Sequence, residues 1–151
     1  MALWHEWVPE VVTINEESRV FYVGPSPDET TLVDFALKNG FEFSETSDTF
    51  AKLKFHPKTG FCNGEAETRT FDVHRRMEFN SDRKRMSILL TDPIDGKIKL
   101  YTKGADSIIK DRLSTNIDLK TMDAIDDFLA RSSVKGLRTL LLSMRVFDKN
   151  E

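Results

Sequence analysis

The sequence predicts an α+β domain with a mainly antiparallel sheet flanked by helices. Apolar runs at residues 86–90 and 98–101 flank the segment Asp-Pro-Ile-Asp-Gly at residues 92–96, whose Pro and Asp-Gly content favours a hairpin turn. Leu, Met, Ile and Phe recur at helical spacing over residues 119–129. Strands joined by hairpins, with helices between them, are typical of α+β folds. The 151 residues are the size of a single domain, so we assign residues 1–151 to one.

Local patterns define the first elements. Residues 19–23 form a β-branched and aromatic run that a Gly-Pro pair ends, which predicts a strand. Ser26 has the properties of a helix N-cap, with Pro27 at the first helical position and Glu29 placed to close a capping box. Asn-Gly at residues 39–40 predicts the end of this helix.

The middle of the chain predicts a strand, a loop and a second strand. Residues 50–55 form the first strand, and residues 56–67 form a polar loop, with two Gly and one Pro, that we expect to be mobile. Residues 70–79 alternate between apolar and polar residues, as a half-buried strand does, although Arg75 interrupts the apolar face. The predicted apolar face consists of Phe71, Val73, Met77 and Phe79.

The last third of the chain predicts two helices and a strand. Residues 106–113 form a short helix, and a longer helix runs from about residue 119 to Ser133. Residues 137–144 are mostly apolar, which predicts a buried strand.

Composition excludes several functions. The net charge of −3 argues against broad nucleic-acid binding. No apolar run is long enough for a membrane-spanning helix, and the first residues lack the pattern of a signal peptide. Cys62 is the only cysteine, so an internal disulfide is excluded and a reducing compartment fits. The three His are widely separated and show no ligand spacing, so we expect no metal site.

A basic segment suggests a nucleotide ligand. Residues 83–85 are Arg-Lys-Arg, preceded by Phe79 and followed by the apolar strand at residues 86–90. Phosphates require fixed positive charge or oriented N–H groups, and a purine requires a flat apolar face. The alternative for such a run is a solvated basic surface.

Four segments together identify a family. They are Ser-Pro-Asp-Glu at residues 26–29, Glu-Phe-Asn-Ser-Asp-Arg-Lys-Arg-Met-Ser at 78–87, Lys-Gly-Ala-Asp at 103–106 and Gly-Leu-Arg-Thr-Leu at 136–140. In this order they resemble the nucleotide-binding domain of P-type ATPases, and more narrowly the type IV branch of phospholipid-transporting ATPases, or flippases. Cation pumps of the superfamily usually carry Pro-Glu after Lys-Gly-Ala, where this chain has Asp106.

The resemblance implies a fragment of a larger membrane pump, lying on its cytoplasmic side. In the family, this domain holds ATP, and the γ-phosphate passes to an Asp of a separate phosphorylation domain. The phosphorylated enzyme then moves phospholipid across the bilayer. The partners implied are ATP, the phosphorylation and actuator domains of the same chain, and the transported phospholipid. We expect no catalytic residue in this chain, and Mg²⁺ to be used by the parent enzyme without ligands from this fragment.

The resemblance also assigns adenine contacts. An aromatic residue at the position of Phe79 stacks on adenine in the family, whereas the alternation of its strand also allows a core position. The family directs the Glu at the position of Glu29 to the exocyclic amine of adenine, in competition with the capping box. Asp82 follows the family pattern, but we assign it to Arg83 or a loop N–H.

Three cations complete the candidate nucleotide site. Lys84 and Lys103 are candidates for contacts with the phosphates or the purine side, with a solvated surface as the alternative for Lys84. Arg138 borders an apolar strand, where an unpaired charge is costly, so a carboxylate or a phosphate should meet it. In the family, the matching Arg holds the phosphate chain, and the alternative is a structural ion pair.

One motif is misleading, and other functions remain open. Pro-Lys-Thr-Gly at residues 57–60 resembles the Asp-Lys-Thr-Gly phosphorylation motif, but Pro57 offers no nucleophile. The alternatives to a flippase domain are the same domain from a cation pump, or a non-enzymatic module whose basic loop docks acidic peptides or anionic lipids.

Overall fold

The computed structural model describes residues 8–14, 17–23, 26–62 and 64–148, the first two ranges by their backbone alone. The strands are β1 (Val8–Ile14), β2 (Glu17–Val23), β3 (Phe41–Thr46), β4 (Phe50–Phe55), β5 (Glu67–Asn80), β6 (Arg85–Thr91), β7 (Ile98–Gly104) and β8 (Leu141–Val146). The helices are α1 (Pro27–Lys38), α2 (Asp106–Lys110) and α3 (Leu119–Val134).

The described strands form two antiparallel sheets. The larger has six strands in the order β3-β4-β5-β6-β7-β8, so each strand pairs with its sequence neighbours. The smaller consists of β1 and β2. Helices α2 and α3 lie in the connection between β7 and β8, and α1 lies between the two sheets in sequence. The predicted α+β fold with a mainly antiparallel sheet is confirmed.

The core lies between α1 and one face of the large sheet. Val33 and Ala36 of α1 are buried against strand residues such as Phe43. Val33 and Ala36 are three positions apart and therefore lie on the same face of the helix. Ile88 and Leu90 alternate with less buried residues along β6, the pattern of a strand with one face in the core. The other buried strand residues of this cluster are Ala51, Leu53, Phe55, Phe71 and Val73.

A bulge in β5 corrects the predicted face of that strand. Val73 pairs with Leu90, but the next pair joins Arg75 to Leu89, so one extra residue lies between them. Beyond this bulge, Arg76 rather than Met77 lies opposite the buried Ile88. The guanidinium of Arg76 accordingly donates to the Ser47 carbonyl, at 2.6 Å, and bonds elsewhere within the β3–β4 hairpin. The irregularity predicted at Arg75 is present, but its effect is to move Arg76 to the face where Met77 was predicted.

The start of α1 also differs from expectation. Ser26 is the N-cap and Pro27 occupies the first turn, yet the Ser26 side chain makes no capping hydrogen bond. The predicted capping box is therefore wrong, because the Glu29 carboxylate is held by a lysine of β7 instead. The end of the helix is as predicted. Lys38 is its last residue, and Gly40 follows with φ of +90°, a conformation that glycine adopts without strain.

The burial predicted for the last strand is wrong. Strand β8 begins at Leu141, and residues 137–140 are irregular. Leu142 and Met144 are 43% and 55% exposed. Among the described strands, β8 pairs only with β7 and is an edge of the sheet, and Leu142 and Met144 lie on its exposed face. The long helix agrees closely with its prediction and begins after Asp118, whose carboxylate accepts from the Thr121 N–H at 2.8 Å.

Two described strands were not predicted from the sequence. Strand β1 pairs with β2 along its whole length, and β3 forms a hairpin with β4. The signals were present but short. Five β-branched residues recur within residues 8–14, and Phe41 and Phe43 alternate with polar residues directly after the helix ends. The predicted loop connects β4 to β5, which begins at Glu67, and its described residues include a 3₁₀ turn at Pro57–Thr59.

Candidate functional site

The ends of four strands meet at one end of the large sheet. Arg85, at the start of β6, pairs with Gly104, at the end of β7, and Gly104 also pairs with Leu141, at the start of β8. Strand β5 ends on the same side, since Asn80 pairs with Arg85. The candidate residues on these strands and their connections are therefore neighbours at this end: Phe79, Lys84, Lys103 and Arg138.

Lys103 is buried and bonds to the remaining candidate, Glu29. The Lys103 side chain is 4% exposed, and its Nζ donates to Glu29 Oε2 at 2.5 Å. Burial lowers the pKa of Lys103 below its usual value, while the hydrogen bond to Glu29 acts in the opposite direction. Because Glu29 lies in the first turn of α1, this ion pair fixes the helix N-terminus over the end of β7.

The backbone packs tightly beside this ion pair. A Cβ at Gly104 would lie 2.6 Å from the Lys84 carbonyl oxygen and 2.7 Å from Arg85 Cβ. The same carbonyl accepts a hydrogen bond from the Ala105 N–H at 3.1 Å. Glycine is thus required at residue 104 by the close approach of the β5–β6 turn. Lys84 itself has φ of +51°, and its side chain is exposed.

Phe79 is open to solvent. Its side chain is 61% exposed near the end of β5, so the structure excludes the core position that the strand pattern allowed. A second register irregularity lies between Met77 and Asn80 and separates Phe79 from the core-facing alternation. Stacking on a ligand remains a prediction for this ring, and the exposed position is compatible with it.

The turn between β5 and β6 is organised by a residue that the sequence analysis did not single out. The side-chain oxygen of Asn80 accepts from the N–H groups of Asp82 and Arg83, at 2.8 and 3.0 Å. This is an Asx turn, which the Asn-Ser-Asp sequence could have indicated. The prediction that Asp82 holds Arg83 or a loop N–H is wrong, because Asn80 performs that function.

Arg138 pairs with a carboxylate that the sequence analysis also missed. Its Nη2 lies 2.7 Å from Asp28 Oδ2, and the two side chains are 82% and 38% exposed. The expectation that this guanidinium borders a buried strand is therefore wrong, since it lies in solvent before β8 begins. The alternative of an ion pair is what the structure shows, and the phosphate role remains a prediction. Asp28 directly precedes Glu29 in the first turn of α1.

This end of the sheet combines the chemical groups that a nucleotide requires. An exposed aromatic ring, Phe79, is followed by a turn carrying Lys84, and beyond it lie Lys103 and Arg138. Two adjacent carboxylates on α1 bond to the last two cations. The arrangement offers a stacking face for a base and cations for phosphate groups. Its carboxylates can accept a hydrogen bond from an amine of a ligand.

Other features of the described residues do not form a second site of this kind. They contain no group of three or more His, Cys, Asp or Glu residues that could hold a metal ion. An apolar cleft of about 390 Å³ lies between α3 and β8, lined by residues such as Phe128 and Leu141, and none of the five candidate residues lines it. None of the helices that the structure describes is long and apolar enough to cross a membrane.

Comparison with known proteins places the chain in a family. Residues 10–151 match the family model for "P-type ATPase, cytoplasmic domain N". The chain is 35% identical to "Phospholipid-transporting ATPase 10" of Arabidopsis thaliana, 34% to "Phospholipid-transporting ATPase tat-1" of Caenorhabditis elegans and 36% to "Phospholipid-transporting ATPase IC" of Xenopus tropicalis. Each alignment covers the whole chain but only 11–12% of the relative.

These matches confirm the resemblance stated from the four sequence segments. The family model spans all four of them, because they lie between residues 26 and 140. The named relatives are phospholipid-transporting rather than cation-transporting enzymes, in agreement with the Asp at residue 106. The chain belongs to the P-type ATPase cytoplasmic domain N family.

Proposed function

We propose that this domain binds ATP at the end of the sheet where β5 to β8 meet, on behalf of a phospholipid-transporting parent enzyme. The observation that carries the proposal is the convergence of the five sequence-predicted residues, Glu29, Phe79, Lys84, Lys103 and Arg138, at this one place. They come from five different elements or connections, spread between residues 29 and 138. The general role of the family's domain N is ATP binding, which supports the proposal.

Adenine recognition falls to Phe79 and Glu29. The exposed Phe79 ring supplies a stacking face that needs no particular protonation state. The Glu29 carboxylate, 20% exposed, has a second oxygen that can accept from the exocyclic amine of adenine while the first remains on Lys103. An acceptor at this point disfavours guanine, which has a carbonyl oxygen at the corresponding position.

Phosphate recognition falls to the three cations. Lys84 and Arg138 are exposed and can reorient toward an anion, whereas Lys103 is fixed by burial and by Glu29. Lysine acts as a point charge, and the planar guanidinium of Arg138 can donate two parallel hydrogen bonds to one phosphate. The described residues contain no cluster of potential metal ligands, and we infer that a magnesium ion on the phosphates would take its protein ligands from the rest of the parent enzyme.

The parent enzyme supplies the reaction. We infer that ATP held here passes its γ-phosphate to an aspartate of a separate phosphorylation domain, which splits one displacement into two steps. With an actuator domain, this cycle would move phospholipid across the bilayer, and the domain would lie on the cytoplasmic side. The names of the relatives support phospholipid as the substrate.

The isolated domain is expected to bind ATP without hydrolysing it. Catalysis requires the reacting groups to be held together, and the aspartate that receives the phosphoryl group belongs to the parent. Isothermal titration should show saturable ATP binding, and a phosphate-release assay should give the rate of a buffer blank. Release above the blank that Phe79→Ala abolishes in a folded domain would contradict the proposal.

Magnesium is expected to change ATP affinity by less than about tenfold, since no described carboxylate cluster is placed to hold a phosphate-bound ion. Two carboxylates beside the proposed phosphate contacts, Asp28 and Glu29, are each bonded to a cation. Titrations of ATP with excess Mg²⁺ and with EDTA measure the effect. A larger gain with Mg²⁺ would contradict this expectation and would require protein ligands for the ion within the domain.

A further inference from the structure

Two neighbouring carboxylates of α1 each hold one of the cations assigned to the nucleotide. Glu29 bonds to Lys103, and Asp28 bonds to Arg138 at 2.7 Å. The first contact joins α1 to β7 and the second joins α1 to the segment that leads into β8. The N-terminal turn of α1 is therefore linked by charge to both sides of the candidate site.

The two ion pairs differ in how easily they exchange. The Glu29–Lys103 pair is mostly buried, with side chains 20% and 4% exposed. The Asp28–Arg138 pair is mostly in solvent, with 38% and 82% exposure. Exposed ion pairs contribute little to stability, so the guanidinium can leave Asp28 at small cost. Among the described residues, Asp28 is the group that holds the Arg138 side chain.

We propose that Asp28 is an affinity-limiting residue that competes with nucleotide phosphates for Arg138. This inference rests on the proposed ATP-binding function. In the free domain, Asp28 holds the guanidinium against α1. A bound phosphate chain takes the guanidinium over, which breaks the ion pair and leaves the Asp28 carboxylate near like charge. Both effects oppose binding, and the repulsion increases with the number of phosphates.

The consequence is a defined dependence on phosphate charge. Adenosine reaches Phe79 and Glu29 without disturbing the Asp28–Arg138 pair, so its affinity does not depend on Asp28. ADP and ATP require the exchange. Asp28 thus favours release of phosphorylated nucleotide. A domain that takes part in a repeated cycle requires such release in every turnover.

Asp28→Asn tests this competition by titration with adenosine, AMP, ADP and ATP. The variant should bind ATP about twofold to fivefold more tightly, the range of an exposed ion pair, and adenosine with unchanged affinity. Asp34→Asn is the matched control. It removes the same charge from the same helix, but Asp34 pairs with Lys38 at 2.6 Å and not with a site residue. Its effect on ATP affinity should be below twofold.

The NMR signal of the Arg138 side-chain Nε–H provides a second measurement that does not depend on affinity. It should move in ligand-free Asp28→Asn, remain in place in Asp34→Asn, and move in the wild type when ATP but not adenosine is added. If Asp28→Asn loses its thermal transition, Asp28→Ser replaces it, since serine removes the same carboxylate from the pair with Arg138.

The outcomes separate this inference from the proposed function. Tighter binding that grows from AMP to ATP supports the competition. Wild-type binding of ATP with equal or weaker binding by Asp28→Asn overturns the competition and leaves the proposed function intact. A wild-type domain that binds neither ATP nor adenosine overturns both.

Discussion

Replacing Glu29 by glutamine is expected to lower the free energy of unfolding by about 3 kcal/mol, at the lower end of the cost of breaking a buried ion pair. The substitution keeps the shape of the side chain but removes its charge, and the Lys103 side chain is 4% exposed. Burial already lowers the pKa of Lys103, and Glu29 is the residue that opposes this shift. Urea unfolding, with the slope unchanged, measures the difference in stability.

Glu45→Gln is the matched control for burial. Glu45 also accepts from a lysine, Lys52, at 2.6 Å, but the side chains are 53% and 36% exposed. Exposed pairs contribute between about 0 and 1 kcal/mol, so the same substitution there should have a much smaller effect. Equal effects at Glu29 and Glu45 would show that burial does not determine the value of the Glu29–Lys103 pair.

A double variant separates stability from function at this pair. Buried ion pairs replaced by apolar residues of similar size are often neutral or stabilising. Glu29→Leu with Lys103→Met should therefore be more stable than Glu29→Gln, yet it should lose ATP affinity with both polar groups. Such a result would mean that the pair is maintained for nucleotide recognition rather than for folding.

Local patterns predicted much of this fold because they depend on neighbouring residues. The Asn-Gly sequence at residues 39–40 ends α1 as predicted, and residues 50–55 form β4 with the predicted bounds. The faces of β5 were not predictable in the same way. One inserted residue at the bulge after Val73 reverses the side chains as far as Met77, and alternation alone cannot reveal it. The burial of β8 failed for another reason, since burial depends on what covers a strand.

For the candidate site, too, local sequence predicted some features and long-range contacts determined the others. The residue types were recognisable from four short segments, but their partners were not. Glu29 and Lys103 are 74 positions apart, and no local pattern indicates that they meet. Arg138 has 25 acidic residues to choose from in the sequence, and the fold selects Asp28. The strand register brings the ends of β5 to β8 together, and the two ion pairs form at this end of the sheet.

Phe79→Ala is expected to weaken binding of ATP and adenosine alike, by about 1–3 kcal/mol if base stacking is lost. The ring is 61% exposed, which leaves a face available to a base. For the same reason, its removal should cost the fold little stability. Arg138→Ala should instead weaken ATP much more than adenosine, since a charge-assisted contact to phosphate is absent from the nucleoside. Titration of both variants with both ligands distinguishes the two roles.

The control for Phe79 is another exposed phenylalanine. Phe128 on α3 is 59% exposed and lines the apolar cleft beside β8, so Phe128→Ala removes a comparable ring outside the candidate site. It should leave both affinities unchanged, and all variants should first show an intact thermal transition. If Phe79→Ala leaves adenosine binding unchanged in a folded domain, stacking on this ring is excluded. Adenine recognition would then have to rest on the Glu29 carboxylate and the backbone near Gly104, where the Lys84 carbonyl leaves no room for a side chain.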